Sequence, residues 1–233
     1  MAASTGMAAI VAGLSRHVWR GLEAVSARLC ADVLEMTGVA VSVLTSDGSG
    51  EVVWRTEGAS GGLDDLQFTL GEGPGVDAAA SGELVLEPDL AAVPVHRWPV
   101  FTPAALQLGI RAVFAVPLQI GTIRVGVLLA HRDTPGPMVS GVLTDLLVFA
   151  EAATEALLGS AAAGSEPQWL SEQPSGYRAE VHQATGMISA QLGVGQGEAL
   201  IRMRAYAFSH RHALPQVAAD VVARRLRFDV NAD

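Results

Sequence analysis

Residues 176–228 have the sequence GYRAEVHQATGMISAQLGVGQGEALIRMRAYAFSHRHALPQVAADVVARRLRF, whose apolar positions predict three short helices. The first helix is predicted over about 176–192, because its apolar residues recur at helical spacing. Gly193 ends it, since glycine tolerates the left-handed conformation that closes a helix. A second helix is predicted over about 196–210, and a third begins near Pro215, a residue favoured in a first turn. The stretch therefore predicts a small bundle, which would be marginally stable alone.

Several short sequence motifs within this stretch resemble those of the ANTAR domain, the RNA-binding antitermination module of bacterial regulators. They are VHQATGMI (181–188), EAL (198–200), MRAYA (203–207), LPQVA (214–218) and DVV (220–222). The family pattern has a lysine where this chain has Thr185, and a serine is common where Gly195 stands. The resemblance implies that residues 176–233 form a three-helix ANTAR bundle that binds an RNA stem-loop.

Charge is distributed unevenly along the chain, whose net charge is −9. Residues 1–175 hold 8 arginines against 19 acidic residues, whereas residues 176–228 hold 7 arginines against 3. This local excess suits an anionic partner, although solvated arginines that keep a small bundle soluble account for it equally well. With the resemblance, the candidate RNA contacts are Arg202, Arg204, Arg211, Arg224, Arg225 and Arg227. Arg204 is the first choice, because it lies in the best-matching word.

Residues 15–158 alternate between helical and strand patterns. One long helix is predicted over about 14–37 and a β-hairpin over 39–56, with its turn at Asp47-Gly48. A strand is predicted at 84–87, a helix at 101–108, two strands at 112–117 and 123–130, and a long amphipathic helix at 139–158. This order predicts an α+β domain with a mainly antiparallel sheet.

The words of this region resemble the GAF domain, a small-molecule sensing module. They are GEGPGVDA (71–78), SG (81–82), PDL (88–90), RWP (97–99), VPL (116–118) and VGVL (125–128). The resemblance implies a GAF-like antiparallel sheet flanked by helices, with an unknown small-molecule or protein signal as its partner. Cysteine is frequent where Gly75 stands in the form of the domain that precedes ANTAR modules. We therefore expect neither a thiol-based sensor nor a covalently bound chromophore.

Composition argues against several chemistries and favours a protein that is not an enzyme. The chain has no lysine, so it has neither a P-loop lysine nor a Schiff-base lysine for pyridoxal phosphate. Cys30 is the single cysteine, which excludes an intramolecular disulfide and a paired-cysteine zinc site. The glycines of residues 71–75 lack the P-loop spacing and are interpreted as a tight connection. His210 and His212 are interpreted as solvated side chains, so we expect no metal, no cofactor and no catalytic residue.

The predicted organisation is a sensor domain at 1–160, a linker at 161–175 rich in small residues and proline, and the ANTAR-like domain at 176–233. We expect a cytoplasmic protein, because no basic leader precedes an apolar core and no apolar run is long enough for a membrane. The helix over 139–158 also predicts a homodimer. Two hypotheses follow: a signal-responsive RNA-binding transcription antitermination regulator, or a ligand- or protein-binding sensor whose bundle serves dimerisation without RNA.

Overall fold

The computed structural model describes residues 2–45, 49–162 and 177–229. The predicted turn at Asp47-Gly48 and nearly all of the predicted linker lie outside these residues. The chain divides into two compact units, one holding the N-terminal elements and the other holding the last three helices. No helix in the described part of the chain is long and apolar enough to cross a membrane.

The N-terminal unit is built around one five-stranded sheet. Its strands are β1 (Gly38–Leu44), β2 (Gly50–Arg55), β3 (Val85–Glu87), β4 (Ala112–Ile120) and β5 (Ile123–Arg132). Its α-helices are α1 (Thr5–Arg16), α2 (Ala27–Val33), α3 (Ala59–Leu70), α4 (Pro74–Ser81), α5 (Phe101–Gln107) and α6 (Ser140–Ala162). The strand order is β2-β1-β5-β4-β3, and each neighbouring pair is antiparallel. The predicted α+β class is confirmed.

The two faces of the sheet pack against different helices. Val39 and Val41 of β1 join Phe149 of α6 and the buried residues of α1 and α2 in one core. Ala40, between those two valines, lies in a second core with Leu63 of α3 and residues of α4 and α5. Successive side chains of a strand point to opposite faces, so both faces of β1 are buried. Cys30 of α2 is buried in the first core, and burial raises the pKa of its thiol to about 12.

The single helix predicted over 14–37 is wrong. The chain instead forms α1, a 3-10 segment over Val18–Ala24, and α2. Gly21 has a φ of 54°, which breaks the helical path, and Ser26 caps α2 by accepting a hydrogen bond from the Leu29 N–H. The apolar period continues through the break because all three pieces pack on the same face of the sheet.

No helix is predicted for residues 59–81, where the structure has α3 and α4. Helix α3 begins in a run with Gly61 and Gly62, and α4 has only eight residues, so neither has a strong helical signature. Between them, Gly71 and Gly73 have φ values of 69° and 133°. The interpretation of this segment as a tight connection that needs glycine is confirmed.

The C-terminal unit contains the three predicted helices. They are α7 (Tyr177–Leu192), α8 (Gln196–Ser209) and α9 (Leu214–Val222). Gly193 has a φ of 67° where α7 ends, and Pro215 lies in the first turn of α9. The predicted apolar positions supply most of the buried residues of this unit: Val181, Ala184, Ile188, Ala199, Leu200, Met203, Ala207, Val217, Ala218 and Val221.

Candidate nucleic-acid interface

Helix α8 carries two of the candidate arginines on different sides. Arg202 is exposed, and its guanidinium forms an ion pair with Glu198 one turn earlier, at 2.7 Å. Arg204 is half-buried, between Met203 and the next turn of the helix, where Ala207 is buried. The structure therefore places Arg204 at the edge of the bundle core and Arg202 on the open surface.

Arg211 and Arg224 occupy equivalent positions, each at the second residue beyond the end of a helix. Their φ values are 56° and 58°, in the left-handed region that favours glycine. Beside Arg211, the His212 N–H donates to the carbonyl of Ala207, which closes α8. Both arginines are exposed, and neither has an ion pair within residues 177–229. Their charges are available to a partner.

Arg225 and Arg227 each lie close to a carboxylate. Arg225 is 2.7 Å from an oxygen of Asp220, and Arg227 is 3.7 Å from an oxygen of Asp229. Exposed ion pairs of this kind contribute little to stability, so exchanging a carboxylate for another anion costs little. The remaining arginine of the unit, Arg178, is buried in α7 and is not part of this surface.

An aromatic stack on α8 is the feature that the sequence analysis missed. The rings of Tyr206 and His210 lie 3.9 Å apart at 19°, and the ring of Phe228 contacts Tyr206 edge-on at 5.3 Å. The Phe228 N–H donates to Oε1 of Gln191 at 2.9 Å, which holds the end of the chain against α7. Arg211 directly follows His210 in the sequence, and Arg227 directly precedes Phe228.

Thr185, where the family pattern has lysine, is buried at 1% exposure. Its hydroxyl donates to the carbonyl of Val181 at 2.8 Å, so its polar atom is satisfied within α7. Thr185 is therefore part of the interior of the bundle.

The N-terminal unit has a buried polar cluster on the α3 side of the sheet. Ser42 Oγ donates to Asp64 at 3.0 Å, Thr56 and Ser60 share a hydrogen bond of 2.6 Å, and Ser60 Oγ lies 2.9 Å from Nε2 of His131. Burial lowers the pKa of His131 to about 4, although nearby Asp133 acts in the opposite direction. Ser60 and His131 are 2% and 3% exposed, so a substrate cannot reach this serine–histidine contact.

The glycine-rich segment 71–75 connects four elements of the N-terminal unit. Glu72 Oε1 accepts hydrogen bonds from the Val100 and Phe101 N–H groups at the start of α5, at 2.8 and 2.6 Å. The Gly75 N–H donates to Oε1 of buried Gln67 at 2.6 Å. A Cβ at Gly75 would lie 2.6 Å from Cδ1 of Leu129, so a cysteine would not fit without a shift. The Glu72 carboxylate and the Gly75 N–H therefore form hydrogen bonds within the N-terminal unit.

Among the described residues, no group of three or more histidine, cysteine, aspartate or glutamate side chains could hold a metal ion. His210 and His212 are both exposed, with ring centres 6.4 Å apart. The Nδ1 atom of His210 lies 3.0 Å from the Tyr206 carbonyl, so one ring nitrogen is used within α8.

Comparisons with known proteins agree with both resemblances. Residues 176–222 match the family model of the ANTAR domain. A GAF domain of a phosphoenolpyruvate-protein phosphotransferase from Coxiella burnetii is 14% identical, with a TM-score of 0.52 over 70% of this chain and 99% of that one. The corresponding domain from Acinetobacter is 11% identical, with a TM-score of 0.51 over 69% and 95%.

A phycoerythrobilin-bound GAF domain of a cyanobacterial phytochrome is 13% identical, with a TM-score of 0.51 over 69% of this chain and 98% of that one. At these identities the structural matches establish the fold alone. No curated protein matches the sequence. The chain therefore combines a GAF fold in its N-terminal region with an ANTAR domain at residues 176–222.

Proposed function

We propose that this protein is a signal-responsive, RNA-binding regulator of transcription antitermination. The observation that carries the proposal is the ANTAR domain at residues 176–222, which lies in a stretch, residues 176–228, that holds 7 arginines against 3 acidic residues. ANTAR domains are RNA-binding antitermination modules. In this proposal the bundle holds an RNA stem-loop and so prevents a terminator hairpin from forming.

The proposed RNA-binding residues are Arg204, Arg202, Arg211, Arg224 and Arg225. Arginine donates hydrogen bonds to phosphates and stacks on unpaired bases, which is how looped RNA is commonly bound. Arg211 and Arg224 are exposed with no ion pair within residues 177–229, so RNA would not have to displace a carboxylate. Arg202 and Arg225 would exchange Glu198 and Asp220 for phosphate.

The GAF unit is the proposed sensor, with boundaries at residues 1–160, followed by a linker at 161–175 and the RNA-binding domain at 176–233. Its signal is a small molecule or a protein, bound in the cytoplasm. Signal binding would change how the bundle is presented to RNA. The buried hydrogen bonds of Ser42, Thr56, Ser60 and Asp64 join α3 to β1 and to the residue that follows β2. They give this unit a polar interior that a bound signal could rearrange.

A homodimer is part of the proposal, with its interface on α6. The predicted apolar face of α6, including Leu146, Phe149 and Ala153, is buried in the unit's own core. The exposed stripe of the helix contains Leu147, Glu151, Glu155 and Leu158. A dimer through α6 would therefore use this stripe, with leucines at both ends and glutamates between them.

The alternative function is a sensor whose bundle serves dimerisation without RNA. Ile201 and Phe208, seven residues apart on α8, are 63% and 73% exposed. Large apolar side chains on one face of a helix are typical of contact surfaces. The two hypotheses differ in salt-dependent RNA binding, because phosphate contacts release counterions and dimerisation does not.

Filter binding of the full chain to a library of RNA stem-loops at two salt concentrations tests the proposal. We expect retention at low salt, weaker binding at high salt, and no comparable retention of fully paired RNA of the same length. If the wild-type protein retains no stem-loop at low salt, the antitermination proposal is wrong. The sensor with a dimerising bundle then replaces it.

A further inference from the structure

The Tyr206–His210 stack presents an open ring face on the surface of the C-terminal unit. The ring of Tyr206 covers one face of the imidazole at 3.9 Å. His210 is exposed, and the ring of His212 is 6.4 Å away and tilted by 39°. Among the residues that the structure describes, no second ring is stacked on the other face of the imidazole. A flat ring with one face supported and one face open is suited to stacking.

The geometry of this ring is fixed by contacts on several sides. His210 Nδ1 lies 3.0 Å from the Tyr206 carbonyl and 3.0 Å from Oγ of Ser209. Phe228 packs edge-on against Tyr206, and its N–H is held by Gln191 at 2.9 Å. A supported ring loses little conformational freedom when a further ring stacks on it, which favours binding.

Positive charge lies on both sides of the stack along the chain. Arg211 directly follows His210, and its left-handed conformation belongs to the turn that ends α8. Arg227 directly precedes Phe228 and is highly exposed. Stacking on aromatic rings next to cationic groups is how proteins bind the unpaired bases of single-stranded nucleic acid.

We propose that the imidazole face of His210, supported by Tyr206, stacks on an unpaired base in the loop of the bound RNA, with Arg211 at the adjacent phosphate. This inference rests on the proposed RNA-binding function and assigns a loop-base contact to residues outside the arginine set. The stack binds the loop, whereas the arginines bind the phosphates of the stem-loop. The two kinds of contact respond differently to salt, because counterions are released where arginines contact phosphates.

The test uses the full chain and the stem-loop that the wild-type protein retains best, with 2-aminopurine placed in turn at each loop position. Stacking quenches 2-aminopurine, so we expect one loop position to lose fluorescence on binding. His210→Ala should abolish that quenching and weaken binding about ten-fold with an unchanged salt slope. His210→Phe should retain the fluorescence quenching and the affinity of the wild-type protein, because it keeps the aromatic ring.

His212→Ala is the matched control, since it removes an exposed histidine two residues away that is not in the stack. It should bind within about two-fold of wild type, and circular dichroism should show intact helices in every variant. The inference is overturned if His210→Ala binds as tightly as wild type, or if no loop position is quenched by the wild-type protein. In either case the RNA-binding function still stands, whereas a wild-type protein that binds no stem-loop overturns both.

Discussion

Ser60 Oγ lies 2.9 Å from Nε2 of His131, and this contact joins α3 to the end of β5 in the interior of the N-terminal unit. Thr56 shares a 2.6 Å hydrogen bond with the same serine. A Cβ at Gly38 would lie within 2.3–2.7 Å of a side-chain atom of each of these residues, so only glycine leaves room for the cluster. The cluster requires a neutral imidazole, because burial disfavours the charged form.

Acidification should therefore destabilise the N-terminal unit through His131. Its pKa is lowered from 6.5 to about 4 in the folded state, so the unfolded chain binds the proton more readily. This contribution to stability is present above pH 6.5 and is lost as the pH falls towards 4. Between pH 7 and pH 5 it should cost about 2 kcal/mol of unfolding free energy.

Urea denaturation of the wild-type protein and His131→Gln at both pH values measures this effect. Glutamine keeps a neutral hydrogen-bonding group but does not titrate. The wild-type protein should therefore lose about 2 kcal/mol more than the variant on acidification. Equal losses would mean that the imidazole is not held neutral in the fold.

Gly75→Ala should destabilise the N-terminal unit by about 1–3 kcal/mol, because the added methyl group overpacks the core. The Cβ would lie 2.6 Å from Cδ1 of Leu129 and 3.0 Å from Oε1 of Gln67. Thermal unfolding should show the loss. Gly141→Ala is the control, since its Cβ meets nothing within 4 Å and the residue lies in α6.

A second substitution distinguishes overpacking from other causes. Leu129→Val shortens the side chain that the new methyl group would strike, so it should recover part of the loss when combined with Gly75→Ala. Strictly additive effects of the two substitutions would contradict the packing argument.

The strands were predicted well because they are mostly apolar and contain several β-branched residues, as in residues 39–44 and 123–130. The prediction failed between residues 14 and 37, because a periodic apolar pattern does not reveal the left-handed Gly21 that breaks the helix. It also gave no helix for α3, whose first turn contains two glycines. Helix α3 is held by contacts with residues far along the chain, including Ser60 with His131.

The arginines of the candidate interface were predictable, because both the charge and the motifs shared with the family are read directly from the sequence. The stack of Tyr206, His210 and Phe228 was only partly predictable. Tyr206 and His210 are four residues apart and share a helix face, which the sequence shows. The contact of Phe228 depends on the chain folding back after α9 to reach Gln191, and no local pattern specifies that return.

A dimer through the exposed stripe of α6 should be broken by Leu147→Arg. At micromolar concentration, light scattering should give the wild-type protein twice the 24.2 kDa mass of one chain. The variant should be monomeric, because it places a charge in an apolar contact. Leu29→Arg is the control, because Leu29 is also an exposed leucine but lies on α2. A wild-type monomer across this concentration range would contradict the dimer.

Arg204→Ala should weaken stem-loop binding while the helices stay intact. Losing one charge-assisted contact should cost about 1–3 kcal/mol of binding free energy and make the salt dependence shallower. Filter binding at two salt concentrations measures the affinity and its salt dependence, and circular dichroism shows whether the helices are intact. If the variant binds as well as the wild-type protein, Arg204 is not a contact, and Arg202 and Arg211 become the leading candidates.

Arg211→Gly should separate RNA affinity from stability. Arg211 has a φ of 56°, a conformation that costs a non-glycine residue about 1–2 kcal/mol, while glycine pays about 0.5–1 kcal/mol of extra chain entropy. The variant should therefore be as stable as the wild-type protein or slightly more stable. It should nevertheless bind the stem-loop more weakly, with a salt slope reduced by about one, because a phosphate contact is lost.

Three comparisons make this result specific to the charge at position 211. Arg211→Lys keeps the charge and should retain the salt slope of the wild-type protein. Arg211→Ala should reduce the salt slope as Arg211→Gly does, but it should not gain stability. Glu35→Gly relieves the same left-handed strain, at a φ of 54°, in the N-terminal unit and should leave RNA binding unchanged. If Arg211→Gly binds RNA like the wild-type protein, the arginine at the end of α8 serves no RNA contact, and its strained conformation has no functional explanation.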